Sequence, residues 1–333
     1  MSAKTDQPGE QIMGRRWCFA LGLVLAGFYG SAVAETWPTK QPIRAIVPFS
    51  PGSAADIIPR VILDQVSKQI GQTIVIENRV GAGGTIGTAA VARADADGYT
   101  LLITSSAYTI TPSTYAKLPY DPTRSLSAVI PLANLPNVLV VAPAKFKSIE
   151  DLVATGKAKP GSLTYASGGI GATAHLNAER FRLSAGFEAV HVPFKGSPEA
   201  LREVIAERID FYFCPLSTAL PLIREGRVRA LAVSTANRAL ALPDVPTTLE
   251  AGYAKSDYNF WIGMFVTGGT SRDIIERLHQ ETLKAMELPA IKERLEMFGA
   301  ELMPMSPSEF DAYVRDEIST NAVLVKAAGI KPN

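Results

Sequence analysis

The chain holds 333 residues, 47% of them apolar and 20% charged, with 33 Lys and Arg set against 32 Asp and Glu for a formal net charge of +1. Without a basic run, or Arg and Lys interleaved with aromatics, this balance gives no footprint for nucleic acid. What remains is an ordinary globular composition, long enough for about two domains.

The first 34 residues stand apart. A polar stretch to Gly14, the pair Arg15-Arg16, an apolar run from Trp17 to Gly30 and the A-x-A site Ala32-Val33-Ala34 predict a secretory signal peptide over 1–34, removed before Glu35. The apolar run falls short of the ~20 residues a membrane anchor needs. Arg15-Arg16 fits a twin-arginine signal poorly, with Gly14 before it and Trp17-Cys18 after it, and Cys18 lacks a lipid-attachment setting. Cleavage leaves Cys214 alone, so no intramolecular disulfide and a free thiol are expected.

The mature chain opens with the apolar run Ile43 to Val47, then Pro48-Phe49-Ser50-Pro51-Gly52, then a helix: strand, tight loop, helix. Ser53 and Asp56 fit a capping box. A cap at Ser53 places Pro59 beyond the first turn, so either the helix kinks there or Asp56 is the cap. A helix start of this kind offers unpaired N–H groups and the positive end of the dipole to an anion, although any α/β protein has several such turns.

The pattern repeats along the chain. A strand over Thr73 to Ile76 precedes the glycine run Gly81 to Gly87 and an Ala-rich helix to Ala94, and Tyr99 to Thr104 forms a third strand ending in Ser105-Ser106. The spacing G-x-G-G-x-x-G, with no acidic residue about 20 positions on, argues for close helix–strand packing over a dinucleotide site. An apolar strand over Asn137 to Pro143 leads to a capping box at Ser148–Asp151, and Leu163 to Ala166 runs into Ser167-Gly168-Gly169-Ile170-Gly171, a second strand, Gly-rich loop and helix about 115 residues after the first. Strands follow at Val190 to Phe194, Phe211 to Phe213, Arg229 to Val233 and Tyr258 to Val266. Ser197-Pro198, Thr247 with Glu250, Thr270 to Asp273 and Ser306 with Glu309 mark helix starts. Strand and helix alternate almost throughout, which predicts an α/β protein with mostly parallel sheets, split into two similar lobes with a ligand between them.

Catalytic signatures are scarce. His175, His191 and His279 have no metal-ligand spacing, and neither a G-x-S-x-G elbow nor a P-loop occurs. His175 lies in the first turn after the second Gly-rich loop, close enough to a ligand to matter; a triad of Ser167, His175 and Asp56 can be composed, but nothing in the spacing demands it. His191 and His279 read as surface or packing residues.

Taken in order, Trp37-Pro38 with Pro42-Ile43-Arg44, Val47-Pro48-Phe49 with Gly52 and Asp56, Glu77-Asn78-Arg79 with Gly81-Ala82-Gly83-Gly84, Asp97 to Leu102, and Leu118 to Pro122 make up the first half of a pattern. Tyr165-Ala166-Ser167 with His175-Leu176, His191 to Gly196, Leu242 to Thr247 and Lys326 to Ile330 complete it. The chain resembles the Bug-type solute-binding proteins of the tripartite tricarboxylate transporter family. The resemblance implies a periplasmic, two-lobed protein of type II periplasmic-binding-protein architecture that closes its cleft on a small organic carboxylate. No enzymatic activity, cofactor or metal is implied. It selects Phe49, Ser50, Gly52, Ser53, Ala54 and Asp56 on one side of the cleft and Ser167, Gly168, Gly169, Ala172 and Thr173 on the other, with Ser105 and Ser106 nearby. Ser53, Ala55 and Cys214 depart from the family pattern, and Cys214 is placed near the cleft where an Asp often follows the strand. Lys195 is the nearest cation, either a contact for the ligand's second end or simply solvated. The expected lobes are 35–136 with 258–333, and 137–257. Partners are a membrane permease or a signalling protein, between which the sequence does not choose; the chain is expected to be a monomer and not to bind nucleic acid, and a hydrolase is the third reading.

Overall fold

The structure, a computed structural model, describes residues 37–194 and 196–332. The predicted leader and Lys195 lie outside the described residues. The chain begins with β1 (Ile43–Val47), α1 (Ala54–Ile70), β2 (Ile74–Asn78), α2 (Thr85–Ala92), β3 (Thr100–Ser105), α3 (Ala107–Thr114) and β4 (Leu126–Leu135). Next come β5 (Asn137–Val141), α4 (Ile149–Ala158), β6 (Leu163–Ser167), α5 (Thr173–Ala185), β7 (Ala189–Pro193), α6 (Ser197–Ile205), β8 (Phe211–Pro215), α7 (Leu216–Arg224) and β9 (Arg229–Val233). It closes with β10 (Phe260–Thr267), α8 (Arg272–Glu287), α9 (Pro289–Met297) and α10 (Pro307–Ala327).

Two five-stranded sheets result, ordered β2-β1-β3-β10-β4 and β7-β6-β8-β5-β9. Matched position by position, β1 corresponds to β6, β2 to β7 and β3 to β8, while the fourth place in each sheet goes to a strand at a crossing between the lobes. Those two crossing strands correct the expectation of mostly parallel pairing. β1 runs parallel to β2 and β3, and β6 parallel to β7 and β8, but β10 is antiparallel to both its neighbours, as is β5. A strand that arrives from the other sheet has no helical crossover to fix its direction, so both sheets are mixed.

Both faces of each sheet are covered. Along β10, Ile262, Met264 and Val266 join one apolar cluster while Trp261 and Phe265 join another. Along β8, Tyr212 and Cys214 face one side and Phe211 and Phe213 the other. A smaller cluster of Ile110, Leu176, Tyr258, Leu324 and Val325 ties α3 and α10 to α5. The glycine run before α2 serves packing, as its spacing suggested: a Cβ on Gly87 would lie 2.8 Å from the Pro48 side chain and 2.9 Å from the Arg79 carbonyl.

Capping chemistry is realised unevenly. The Ser306–Glu309 box forms in full at the start of α10, and Ser148 accepts the Asp151 N–H at 3.3 Å. Thr247 and Glu250 exchange the two reciprocal bonds of a box, yet a turn and not a helix follows.

Candidate functional site

In each sheet the chain leaves the first strand for one neighbour and later returns to the other side, so the crevice at the carboxyl ends of β1 and β3, and likewise of β6 and β8, is a topological switch point. All four strand ends carry small or hydroxyl residues: Gly52 and Ser53, Ser105 and Ser106, Ser167 to Gly169, and Ser217 with Thr218. The last pair, in the first turn of α7, was not singled out from the sequence. Its signal was available only as the equivalence of β8 with β3.

The loop after β1 is built around Asp56. Asp56 is 3% exposed, and its carboxylate accepts the Gly52 N–H at 2.9 Å, the Asn78 amide at 2.9 Å and two N–H groups of Arg60 at 2.8 and 3.0 Å. Asn78 also donates to the Phe49 carbonyl at 3.0 Å. Burial pushes the Asp56 carboxyl up, but the bonds from Arg60, Gly52 and Asn78 together hold it below its ordinary range. The predicted capping box is therefore not made. Asp56 reaches one residue further back than Ser53, to Gly52, whose φ of +79° suits a residue without a Cβ. Ser53 remains the cap of α1 by position, with its hydroxyl buried and unpartnered. Pro59 sits inside α1. Neither α1 nor α5 has a side-chain cap, Ala172 standing at the start of α5.

The loop after β6 is held by two histidines. Ser167 Oγ lies 2.5 Å from His191 Nε2, donates to the Gly169 carbonyl at 2.9 Å and accepts the Gly169 N–H at 3.0 Å. His175 Nδ1 accepts the Gly171 N–H at 3.0 Å. The two rings stack with centroids 3.8 Å apart and planes 8° from parallel. Burial pushes both down to about 4, helped by Arg182 at His175 and by His175 at His191, so both are neutral at pH 7. His191 is thus a half-buried packing residue and part of the loop's framework. The composed triad is not assembled, because Ser167 bonds His191 and not His175, and the Asp56 carboxylate is engaged by Gly52, Arg60 and Asn78.

Two contacts bring the sheets' switch points together. Ser106 Oγ and Thr173 Oγ1 are 3.4 Å apart, which joins the end of β3 to the start of α5. A Cβ on Gly171 would lie 3.0 Å from the Thr114 side chain at the end of α3. On the opposite diagonal, Gly52, Ala54, Ile57 and Ile58 share a cavity of about 210 Å³ with Ser217, Thr218 and Phe298. Phe49 is half-buried, Ser50 and Gly168 are exposed, and Gly169 and Ala172 are half-buried along the same rims. Ser105 is buried and its hydroxyl accepts the Ala107 N–H at 3.3 Å.

Cys214 does not belong with this set. It is fully buried in the apolar cluster with Val138, Leu216 and Val233, its thiol directed to the Pro215 carbonyl at 3.5 Å. It is a free cysteine. Packing against Val138 and Val233 places it beside Tyr212 inside the lobe. Among the described residues no group of three or more His, Cys, Asp or Glu could hold a metal ion, and no helix is long and apolar enough to cross a membrane.

The model of the tripartite tricarboxylate transporter family receptor matches residues 58–330. A UPF0065 protein from the tcbD-tcbE intergenic region of Pseudomonas sp. (strain P51) is 38% identical over 297 residues, 88% of each chain. BugT of Bordetella pertussis is 34% identical over 312 residues, 93% of this chain and 95% of the relative. Among solved structures, R. palustris Rpa4515 with adipate superposes with a TM-score of 0.82 at 33% identity, covering 89% of this chain and all of that one.

Proposed function

This chain belongs to the tripartite tricarboxylate transporter receptor family, and from that premise we propose that it captures a small organic carboxylate between its lobes in the periplasm and delivers it to a membrane permease. The observation that carries the ligand class is the pair of equivalent helix starts at α1 and α5. Both lack a side-chain cap and stand at equivalent switch points, after β1 and after β6, and the start of α5 also meets the end of β3 through Ser106 and Thr173, 3.4 Å apart. Helix N-termini favour an anion, and neither loop, 48–53 or 167–172, contains Arg or Lys that would match the higher charge of phosphate. The adipate held by the related R. palustris protein supports a dicarboxylate. Charge-assisted hydrogen bonds contribute about 1.5–3 kcal/mol each. A handful of them, less desolvation and closure, reaches the roughly 8 kcal/mol of micromolar binding.

Residues 35–136 with 258–333 form one lobe in this reading and 137–257 the other. Support comes from the single residue, Pro136, between β4 of one sheet and β5 of the other. The protein acts as a monomeric receptor without catalysis.

Thermal shift tests the ligand class. Protein stripped of copurified ligand by unfolding, dialysis and refolding is melted with C4 to C8 carboxylates, sugars and polyamines. At about 100 times its Kd a ligand stabilises the fold by about 2.7 kcal/mol, which at about 2–4 °C per kcal/mol raises Tm by about 5–10 °C. At least one carboxylate should do so. A response to a sugar or amine, with every carboxylate silent, refutes the reading.

A further inference from the structure

The histidine stack beneath the second Gly-rich loop is not used by the binding reading itself. His175 comes from the first turn of α5 and His191 from β7, and the Tyr165 ring of β6 lies 6.1 and 5.0 Å from them. Each imidazole places one nitrogen on the loop, His191 on Ser167 and His175 on the Gly171 N–H. Between these anchors the backbone has little preference of its own. Gly169 has φ +128° and Gly171 φ +75°, and neither has a Cβ to restrict it. A loop of that kind samples many shapes unless something outside it selects one.

The proton inventory is specific. With the one Ser167 hydroxyl proton assigned to the Gly169 carbonyl, His191 donates through an Nε2–H. His175 Nδ1 is an acceptor, so its proton also sits on Nε2. Face-to-face stacking of the rings suits two neutral imidazoles and opposes two cations. The charged groups nearby, Glu179 and Arg182 of α5, are paired with each other at 2.6 Å, and Glu179 also accepts the Tyr165 hydroxyl at 2.5 Å.

We infer that His191 acting through Ser167, and His175 acting through Gly171, are positioning residues that pre-shape the Gly-rich loop of the second lobe for its carboxylate. The inference rests on the binding reading above. A loop fixed before the ligand arrives loses less freedom on binding, and that difference appears in affinity.

The test compares wild type, His191→Phe and His191→Gln by calorimetric titration at neutral pH. The probe is adipate, or the panel carboxylate with the largest melting shift if adipate gives none. Phe keeps the stack but has no donor, and should weaken binding at least tenfold while the unliganded Tm changes little. Gln restores an N–H donor and should recover most of the affinity. Imidazole nitrogen NMR of the wild type provides a check that needs no variant: both histidines should be neutral with the proton on Nε2. Folded His191→Phe with wild-type affinity, or Nδ1–H tautomers in the wild type, overturns this inference alone. A wild type that binds no carboxylate overturns the binding reading and this inference with it.

Discussion

Asp56→Ala removes the group that organises the first loop, and its cost can be worked from the contacts. The pair with Arg60 is an i,i+4 contact to a side chain 47% exposed, so it contributes at most about 1 kcal/mol. The bonds from the Gly52 N–H and the Asn78 amide are charge-assisted, about 1.5–3 kcal/mol each. Part of this is recovered because Gly52 and Asn78 can both reach water once the carboxylate is gone. The expected loss is about 3–5 kcal/mol, or a Tm lower by about 6–20 °C. Arg60→Ala should cost no more than about 1 kcal/mol. The pH dependence has a definite sign. The folded carboxyl lies below its ordinary 3.8, so the stabilisation from its ionised form is complete above that value and is lost as pH falls through the folded value. The gap between wild type and Asp56→Ala should stay constant down to about pH 5 and narrow below about pH 4. Urea unfolding followed by circular dichroism at several pH values measures it. A gap under about 1 kcal/mol, or an equal loss in Arg60→Ala, refutes the argument.

Further outcomes follow from two buried groups. Glu317 of α10 accepts the Trp261 indole N–H at 2.7 Å, the Tyr313 hydroxyl at 3.0 Å and the Thr109 hydroxyl at 3.2 Å, and burial pushes its carboxyl up to about 7. Its folded value exceeds the ordinary 4.5, so this site lowers stability as pH rises from 4.5 through 7. Glu317→Gln should remove that slope and gain about 1–3 kcal/mol at pH 8 relative to pH 5, measured by urea unfolding; parallel pH profiles for the two proteins would show the carboxyl to be solvated. Cys214→Asp should lower Tm sharply by burying an unpaired carboxylate, without re-ranking the carboxylates that bind. In the wild type, a thiol reagent should label Cys214 only after denaturant is added, and rapid native labelling would place it at an accessible surface.

Local chemistry was legible in the sequence. A strand that ends in Pro and Gly before a periodic apolar run is a strand–loop–helix turn whatever surrounds it, and both such turns stand where the residues placed them, after Val47 and after Ser167. The Ser306–Glu309 box forms because both its partners lie within four residues. The family was legible too, through short motifs spread from Trp37 to Ile330, and with it the two-lobed α/β architecture.

Tertiary structure decided whatever depends on distant partners. α3 and β4 were not read at all, and the antiparallel courses of β5 and β10 follow from which sheet each strand joins, a choice made across most of the chain length. Phe211 to Cys214 is apolar on both faces, so alternation gave no direction for the thiol; only packing against Val138 and Val233 put it inside the lobe. Asp56 passed over Ser53 for Gly52 because the left-handed turn at Gly52, with Arg60 and Asn78 alongside, offers the carboxylate a better-satisfied site. His191 lies 24 residues from Ser167, and only the parallel pairing of β6 with β7 sets the two strands side by side. Periodicity and capping act within a turn or two of chain and can be read from sequence. Register, strand direction and the inward or outward course of a side chain in a doubly covered sheet are settled by contacts that sequence neighbours do not share.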